Sequence, residues 1–202
     1  MGLYDRYLAI RVRRAKGTPP AVVAVVLTER DLLEQGAYQR LERLLRWAFE
    51  YGAERLLLYV SVLDDRVIPT LERELDNLNA PRTLAIRGPD DAQQSDAPIQ
   101  ASLGLGGKHE FATAVRSLAE QVDRGELPAD HIDETDLEAQ LVFPDEPDLV
   151  IKTGAERLSD FLIWQSVYSE LYFTDVNWRN LRKRDYLRAL LDYLDRQRRF
   201  GE

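Results

Sequence analysis

The sequence contains no cysteine, and several other residue types are scarce among its 202 residues. Without cysteine, disulfides, thiolate metal sites and cysteine nucleophiles are excluded. The two histidines, His109 and His131, are too few for a histidine-rich metal centre. No apolar run approaches the length needed to span a bilayer, and the basic start of the chain has no long apolar centre or cleavage site typical of a signal peptide. We therefore expect a cytoplasmic protein.

The charge balance excludes a further class of protein. The chain has 35 acidic and 27 basic side chains and a formal net charge of −8. Nucleic-acid binding needs a basic surface to neutralise phosphates, so no nucleic-acid partner is expected. Hydrophobic residues at 45% and charged residues at 31% are ordinary for a globular protein. The length is that of one compact domain, and we predict a single domain over residues 1–202.

Short apolar runs alternate with stretches of helical spacing along the chain. AVVAVVL (21–27) and RLLLYVSV (55–62) are continuous apolar runs, which favour strands buried on both faces. Further strands are predicted at 83–87, 99–105, 148–152 and 171–174. Helices are predicted at 3–15, 31–51, 67–78, 109–123, 133–140, around 159–168 and at 183–199. The alternation predicts an α/β fold with a mainly parallel central sheet of about six strands and helices on both faces.

The predicted first helix allows two interpretations. Tyr4, Tyr7, Leu8 and Val12 lie along one side and arginines surround them. The helix either packs on the domain surface, followed by a linker that ends at residue 19, or makes a peripheral contact with a membrane, for which basic residues and tyrosines are suited.

A ligand site is expected at one edge of the predicted sheet. Ligands of open parallel sheets bind beyond the carboxyl ends of the strands. Four segments follow such ends and should share one rim: 28–30, 61–64, 104–108 and 152–157.

The last hundred residues carry the most distinctive pattern. PDLVIKTGAERLSDFLIWQSVYSELYFTDVNW (147–178) resembles the C-terminal signature of the cis-prenyltransferases, the undecaprenyl diphosphate synthase-like family. GGKHE (106–110) resembles the family's Gly-Gly-Arg segment, and RRFG (198–201) resembles its arginine-x-glycine ending. The resemblance implies the cis-prenyltransferase fold and a role in polyprenyl diphosphate synthesis, in which isopentenyl diphosphate is joined to an allylic diphosphate with Mg²⁺.

Four residues match the family's substrate and metal positions. By this resemblance Lys152, Arg157 and Ser159 bind isopentenyl diphosphate, and cations and hydroxyls suit phosphate oxygens. Glu170 matches the carboxylate that helps to hold Mg²⁺, which prefers oxygen ligands. Lys152 stands where the family has arginine, so the charge is kept but bidentate geometry is lost.

The resemblance also implies a dimer. Arg199 and Gly201 match a tail, here residues 195–202, that reaches into the site of the neighbouring subunit. The partner is either a second copy or a complete cis-prenyltransferase paralogue.

The chain departs from the family most clearly after its first strand. The family has an Asp-Gly-Asn loop there, but Thr28 takes the place of the aspartate and the glycine and asparagine are missing. A glycine-rich turn cradles phosphate through its N–H groups, so this seat for the allylic diphosphate is lost. Glu29 or Asp31 are the candidates to replace the aspartate if Mg²⁺ bridges them. The helices before Gly106 are shortened, which predicts a narrow or absent product tunnel.

Three hypotheses follow from these residues. The first is a partner subunit that lacks its own allylic-diphosphate loop and is not catalytic alone. The second is a divergent but active cis-prenyltransferase. The third is a non-catalytic module that binds polyprenyl phosphate.

Overall fold

A single six-stranded sheet organises the chain. The computed structural model describes residues 2–89, 91, 94–153, 164–174 and 176–196. The strands are β1 (Val22–Thr28), β2 (Arg55–Ser61), β3 (Leu84–Arg87), β4 (Ile99–Leu103), β5 (Leu149–Thr153) and β6 (Glu170–Thr174). The helices are α1 (Leu3–Arg14), α2 (Glu29–Leu33), α3 (Ala37–Glu50), α4 (Ile68–Asp76), α5 (Gly107–Asp123), α6 (Glu134–Glu138) and α7 (Lys183–Asp195). The predicted α/β class and strand number are confirmed.

All neighbouring strands of the sheet run parallel, in the order β3-β4-β2-β1-β5-β6. The chain moves from β1 towards β2 on one side and returns to β5 on the other. Strand order therefore reverses between β1 and β5, and ligands of open α/β sheets bind at such a switch point. The carboxyl ends of all six strands lie along one edge.

The central strands are buried on both faces because most of their residues are apolar. Val23, Val25 and Leu27 belong to the larger core cluster, which packs with α1, α3, α4 and α7. Ala24 and Val26 belong to a second cluster with Leu105, Val142 and Phe143. A third, smaller cluster joins α5 to α6. Apolar clusters thus lie on both faces of the sheet, as the continuous apolar runs predict.

The predicted helix 31–51 is wrong in one respect, because two helices occupy this stretch. Gly36 has a φ of +75° and separates α2 from α3. A residue with a side chain is strained in that conformation, so glycine allows the break. Residues 164–168 form a turn, and the rest of the helix predicted around 159–168 lies outside the described residues.

The layer between the sheet and helices α3 and α4 is filled by side chains. Leu41, Leu44, Leu45, Leu71 and Leu75 are fully buried there. Interiors packed in this way leave few voids larger than a water molecule. The narrow or absent product tunnel stays a prediction.

Candidate ligand site at the carboxyl edge of the sheet

Lys152 lies beside the switch point of the sheet. It pairs with Val26 of β1, which in turn pairs with Tyr59 of β2. Only 4% of Lys152 is exposed, and no described residue offers its ammonium a hydrogen bond or an ion pair. Burying a cation without a partner is costly, so the position is suited to an anionic ligand. The predicted binding residue thus has an environment that fits its predicted role.

Thr28 ends β1 and caps α2. Its N–H and its hydroxyl both donate to Oδ2 of Asp31, at 2.9 and 2.8 Å, and the Asp31 N–H donates back to Thr28 Oγ1 at 3.3 Å. This reciprocal arrangement is a capping box, which satisfies the first N–H groups of a helix. The turn after β1 therefore closes on itself.

Glu29 is engaged in the same region. Its Oε2 accepts hydrogen bonds from the backbone N–H groups of Leu63 and Asp64, at 2.8 and 3.2 Å. The buried carboxylate thereby joins the turn after β1 to the turn after β2. The N–H groups of Leu63 and Asp64 are thus already bonded within the chain.

The segment from Gly104 to Gly107 leads from β4 into α5. Gly104 has a φ of +73°, which only glycine adopts without strain, and its N–H donates to the carbonyl of Val60. Gly106 is the N-cap of α5 and carries no side chain to cap the helix. The positive end of a 17-residue helix therefore lies at the same edge of the sheet as Lys152.

Glu110 is the centre of a buried polar network that the sequence did not reveal. Its Oε1 accepts hydrogen bonds from the N–H groups of Val142 and Phe143, at 2.9 and 3.1 Å, and its Oε2 accepts from Gln165 Nε2 at 3.2 Å. Gln165 also donates to the Phe143 carbonyl at 2.8 Å. Burial raises the pKa of Glu110, against the opposing effect of these hydrogen bonds.

This network gives the Trp-Gln pair of the C-terminal pattern a structural role. Trp164 stacks on Phe111 of α5 with ring centroids 6.1 Å apart, and Gln165 is bonded to Glu110. Both residues therefore attach the turn at residues 164–168 to α5. The sequence contains both members of this pair, but they lie 55 positions apart. Nothing in the sequence between them indicates that they are in contact.

Glu170 lies at the opposite end of the sheet from Lys152. It is the first residue of β6 and pairs with Leu149, whereas Lys152 is three residues further along β5. Three residues of a strand span about 10 Å. The Glu170 carboxylate accepts a hydrogen bond from Arg196 Nη1 at 2.9 Å, and Arg196 also pairs with Asp192. Within one chain Glu170 therefore does not join Lys152 in a single site.

The other predicted site residues lie outside the described residues: Arg157, Ser159, Arg199 and Gly201. In the part of the chain that the structure describes, no three His, Asp or Glu side chains gather closely enough to hold a metal ion. Glu170 supplies one carboxylate, which does not make a site for Mg²⁺ by itself. The magnesium prediction therefore depends on groups that a bound diphosphate or a partner subunit would add.

The described chain is an α/β protein with an open parallel sheet, in which the buried Lys152 and the start of α5 lie at the carboxyl edge. A family model described as putative undecaprenyl diphosphate synthase matches residues 75–201. The chain belongs to this family of cis-prenyltransferases. The matched range begins after β1 and β2, so the departures around Thr28 fall outside it.

Curated proteins with similar sequences are also described as undecaprenyl-diphosphate synthases. The chain is 32% identical over 201 residues to a tritrans,polycis-undecaprenyl-diphosphate synthase (geranylgeranyl-diphosphate specific) of Picrophilus torridus, covering 81% of this chain and 78% of the relative. A synthase of the same description from Methanocaldococcus jannaschii is 48% identical over 110 residues, which cover 52% of this chain and 39% of that relative.

Solved structures share the fold. Lavandulyl diphosphate synthase from Lavandula x intermedia, in complex with dimethylallyl diphosphate, superposes on this chain with a TM-score of 0.73 at 22% sequence identity. The superposition covers 91% of this chain and 99% of the synthase chain. A probable undecaprenyl diphosphate synthase from Campylobacter jejuni gives a TM-score of 0.67 at 20% identity, covering 92% and 100%.

Proposed function

We propose that the chain acts in polyprenyl diphosphate synthesis from isopentenyl diphosphate as a partner subunit without its own seat for the allylic diphosphate. The observation that carries this proposal is the closed turn after β1. The Thr28 and Asp31 side chains bond to each other's N–H groups, and Glu29 bonds to the N–H groups of Leu63 and Asp64. A phosphate seat needs such N–H groups to be open.

The same contacts argue against Glu29 and Asp31 as replacement metal ligands. Each carboxylate accepts two hydrogen bonds from within the chain. To bind Mg²⁺ they would have to give up bonds that close α2 and join two strand ends. Each bond to a charged group contributes about 1.5–3 kcal/mol, so the exchange opposes metal binding.

The isopentenyl diphosphate side is retained in this proposal. Lys152 is a buried cation without a partner among the described residues, and a diphosphate would supply the missing negative charge. The resemblance adds Arg157 and Ser159 to that group. We infer that the chain binds isopentenyl diphosphate while a complete paralogue holds the allylic diphosphate and completes the reaction.

The isolated chain is expected to form no product. The assay supplies Mg²⁺, isopentenyl diphosphate and allylic diphosphates of several lengths, and measures prenyl transfer by the chain alone. It is then repeated with the chain co-purified with a paralogue from the same genome that carries the Asp-Gly-Asn loop. The proposal expects a stable heteromer that is more active than either protein alone.

Turnover by the pure chain would instead establish a divergent active enzyme. A chain that has no turnover, forms no heteromer and binds polyprenyl phosphate would be the non-catalytic binding module. In either case the partner-subunit proposal fails.

Substitutions in the tail test its predicted contribution to the partner's site. In the heteromer, Arg199→Ala or Gly201→Val should lower activity about ten- to a hundredfold, the loss expected for a hydrogen bond to a charged group. Arg198→Ala is the matched control, since the resemblance assigns it no role. Size-exclusion chromatography must show an intact heteromer. Full activity of both tail variants in such a complex would remove the tail from the proposal.

A further inference from the structure

Helix α1 has two apolar faces, and only one of them is used in the fold. Leu8, Ala9 and Val12 are buried where α1 packs against α7 and the larger core. A second set, Leu3, Tyr7 and Ile10, recurs at helical spacing and is 87%, 54% and 51% exposed. At about 100° per residue this second set lies roughly opposite the first. The helix thus presents an apolar stripe away from the domain.

The stripe is set among basic residues in an otherwise acidic protein. The first sixteen residues contain five of the 27 basic side chains and one of the 35 acidic ones, which leaves the rest of the chain with a net charge of −12. Arg6 and Arg14 are exposed and form no ion pair with any described residue. Basic charge next to an exposed apolar stripe favours an anionic and partly apolar occupant.

A basic cavity adjoins the first turn of α1. It has a volume of about 400 Å³, and Asp5 of α1 is its acidic member. The basic residues that line it are Arg40, Arg43, Arg179, Arg182 and Lys183. Of these, Arg43, Arg179 and Arg182 form no ion pair within the described part of the chain. Asp5 shares the helical spacing of Leu8, Ala9 and Val12, so the cavity lies on the domain side of α1 and is not part of the exposed stripe.

We propose that α1 docks the protein onto a bilayer that contains anionic phospholipid. The apolar stripe would enter the headgroup region, and Arg6 and Arg14 would bind lipid phosphates. A protein partner is less suited, because three side chains on one convex helix are far smaller than the roughly 800 Å² per partner of a stable interface. The described chain has no helix long and apolar enough to cross a membrane, so the contact is peripheral. The inference does not depend on whether the chain is catalytic.

Co-sedimentation with lipid vesicles tests the docking surface. The full chain is mixed with vesicles of phosphatidylcholine alone or of phosphatidylcholine with phosphatidylglycerol, at low and high salt. We expect binding to the anionic vesicles only, and weaker binding at high salt because screening shortens the reach of surface charge. Arg6→Ala with Arg14→Ala should lower the partition coefficient about 25-fold, near fivefold for each cation. Leu3→Ser, Tyr7→Ser and Ile10→Ser together should lower it about tenfold or more.

Two substitutions elsewhere on the surface serve as controls. Arg73→Ala removes an exposed arginine of α4, and Leu33→Ser removes an exposed leucine of α2. Both should leave vesicle binding unchanged, and circular dichroism checks that every variant is folded. Equal binding to both vesicle types, or full binding by the stripe variant, would overturn the proposal. So would vesicle binding that inorganic diphosphate abolishes at an ionic strength matched with sodium chloride, since the surface would then be a site for a soluble anion.

Discussion

Replacing Lys152 with methionine is expected to stabilise the protein and to remove most of its affinity for isopentenyl diphosphate. The side chain is 4% exposed, and no described residue pairs with its charge. Methionine has a similar length and no charge, so the substitution removes the cost of burying a cation and leaves little empty space. The free energy of unfolding should rise by about 1–3 kcal/mol, the cost of a buried polar group that has no hydrogen-bond partner. Affinity should fall about ten- to a hundredfold, because a charged contact to the diphosphate is lost.

Thermal unfolding and calorimetric titration with isopentenyl diphosphate measure the two effects on the same protein. Lys152→Arg keeps the charge and restores the family's residue, so it should retain binding. Lys183→Met is the matched control, because Lys183 is paired with Glu50 at 2.7 Å and lies over the Tyr51 ring. That variant should lose a little stability and no affinity. If Lys152→Met instead destabilises the chain and binds the ligand normally, Lys152 is a structural residue and the isopentenyl diphosphate site must lie elsewhere.

The strands could be predicted from the sequence because each is a short apolar run between polar turns. The break inside the predicted helix 31–51 could not be found by periodicity, since Leu32 and Leu41 belong to the same core cluster on either side of it. Apolar spacing reports which face is buried and does not report whether the backbone is continuous. Gly36 was the local signal, and it was outweighed by the pattern around it.

The sequence allowed the residues of the candidate site to be predicted, but it did not allow most of their contacts to be predicted. The loss of the aspartate at Thr28 is visible in one sequence, but the engagement of Glu29 depends on N–H groups of Leu63 and Asp64, 34 and 35 positions away. Such contacts arise only when β1 and β2 are paired. The position of Glu170 was easier to predict from the sequence. A residue that precedes an apolar run enters its strand at the amino end, so in a parallel sheet it lies away from the carboxyl edge.

Replacing Glu110 with alanine is expected to cost about 3–5 kcal/mol of stability, because several buried donors lose their acceptor at once. The side chain is 3% exposed and accepts hydrogen bonds from Val142, Phe143 and Gln165. Alanine would leave the N–H groups of Val142 and Phe143 buried without an acceptor, at about 1–3 kcal/mol each. Gln165 would lose one of its two acceptors and keep the Phe143 carbonyl. Glu110→Gln retains the size and one acceptor oxygen, so it should be clearly less destabilising. Urea unfolding at fixed pH measures both differences.

The two variants also separate the charge of Glu110 from its hydrogen bonds. Burial raises the pKa of Glu110 above its ordinary value of 4.5, so the native state keeps this proton to a higher pH than the unfolded chain does. Between those two pKa values the native state binds more protons, and the free energy of unfolding therefore falls as pH rises. Stability that is present below pH 4.5 is lost as pH passes through the raised pKa, and glutamine at this position abolishes that loss.

The difference in unfolding free energy between wild type and Glu110→Gln should thus decrease with rising pH, because contributions from all other groups cancel in it. Glu126→Gln provides a control of opposite sign. The pKa of the exposed Glu126 is lowered by its hydrogen bond to Arg124, so its contribution is present at higher pH and is lost as pH falls. If the Glu110 difference is flat with pH, the carboxylate has the same proton affinity in both states and its burial is compensated by the three donors. The hydrogen bonds between Glu110 and its three donors would then contribute a stability that does not depend on pH, and they would hold the turn at Gln165 against α5 without any contribution from the charge.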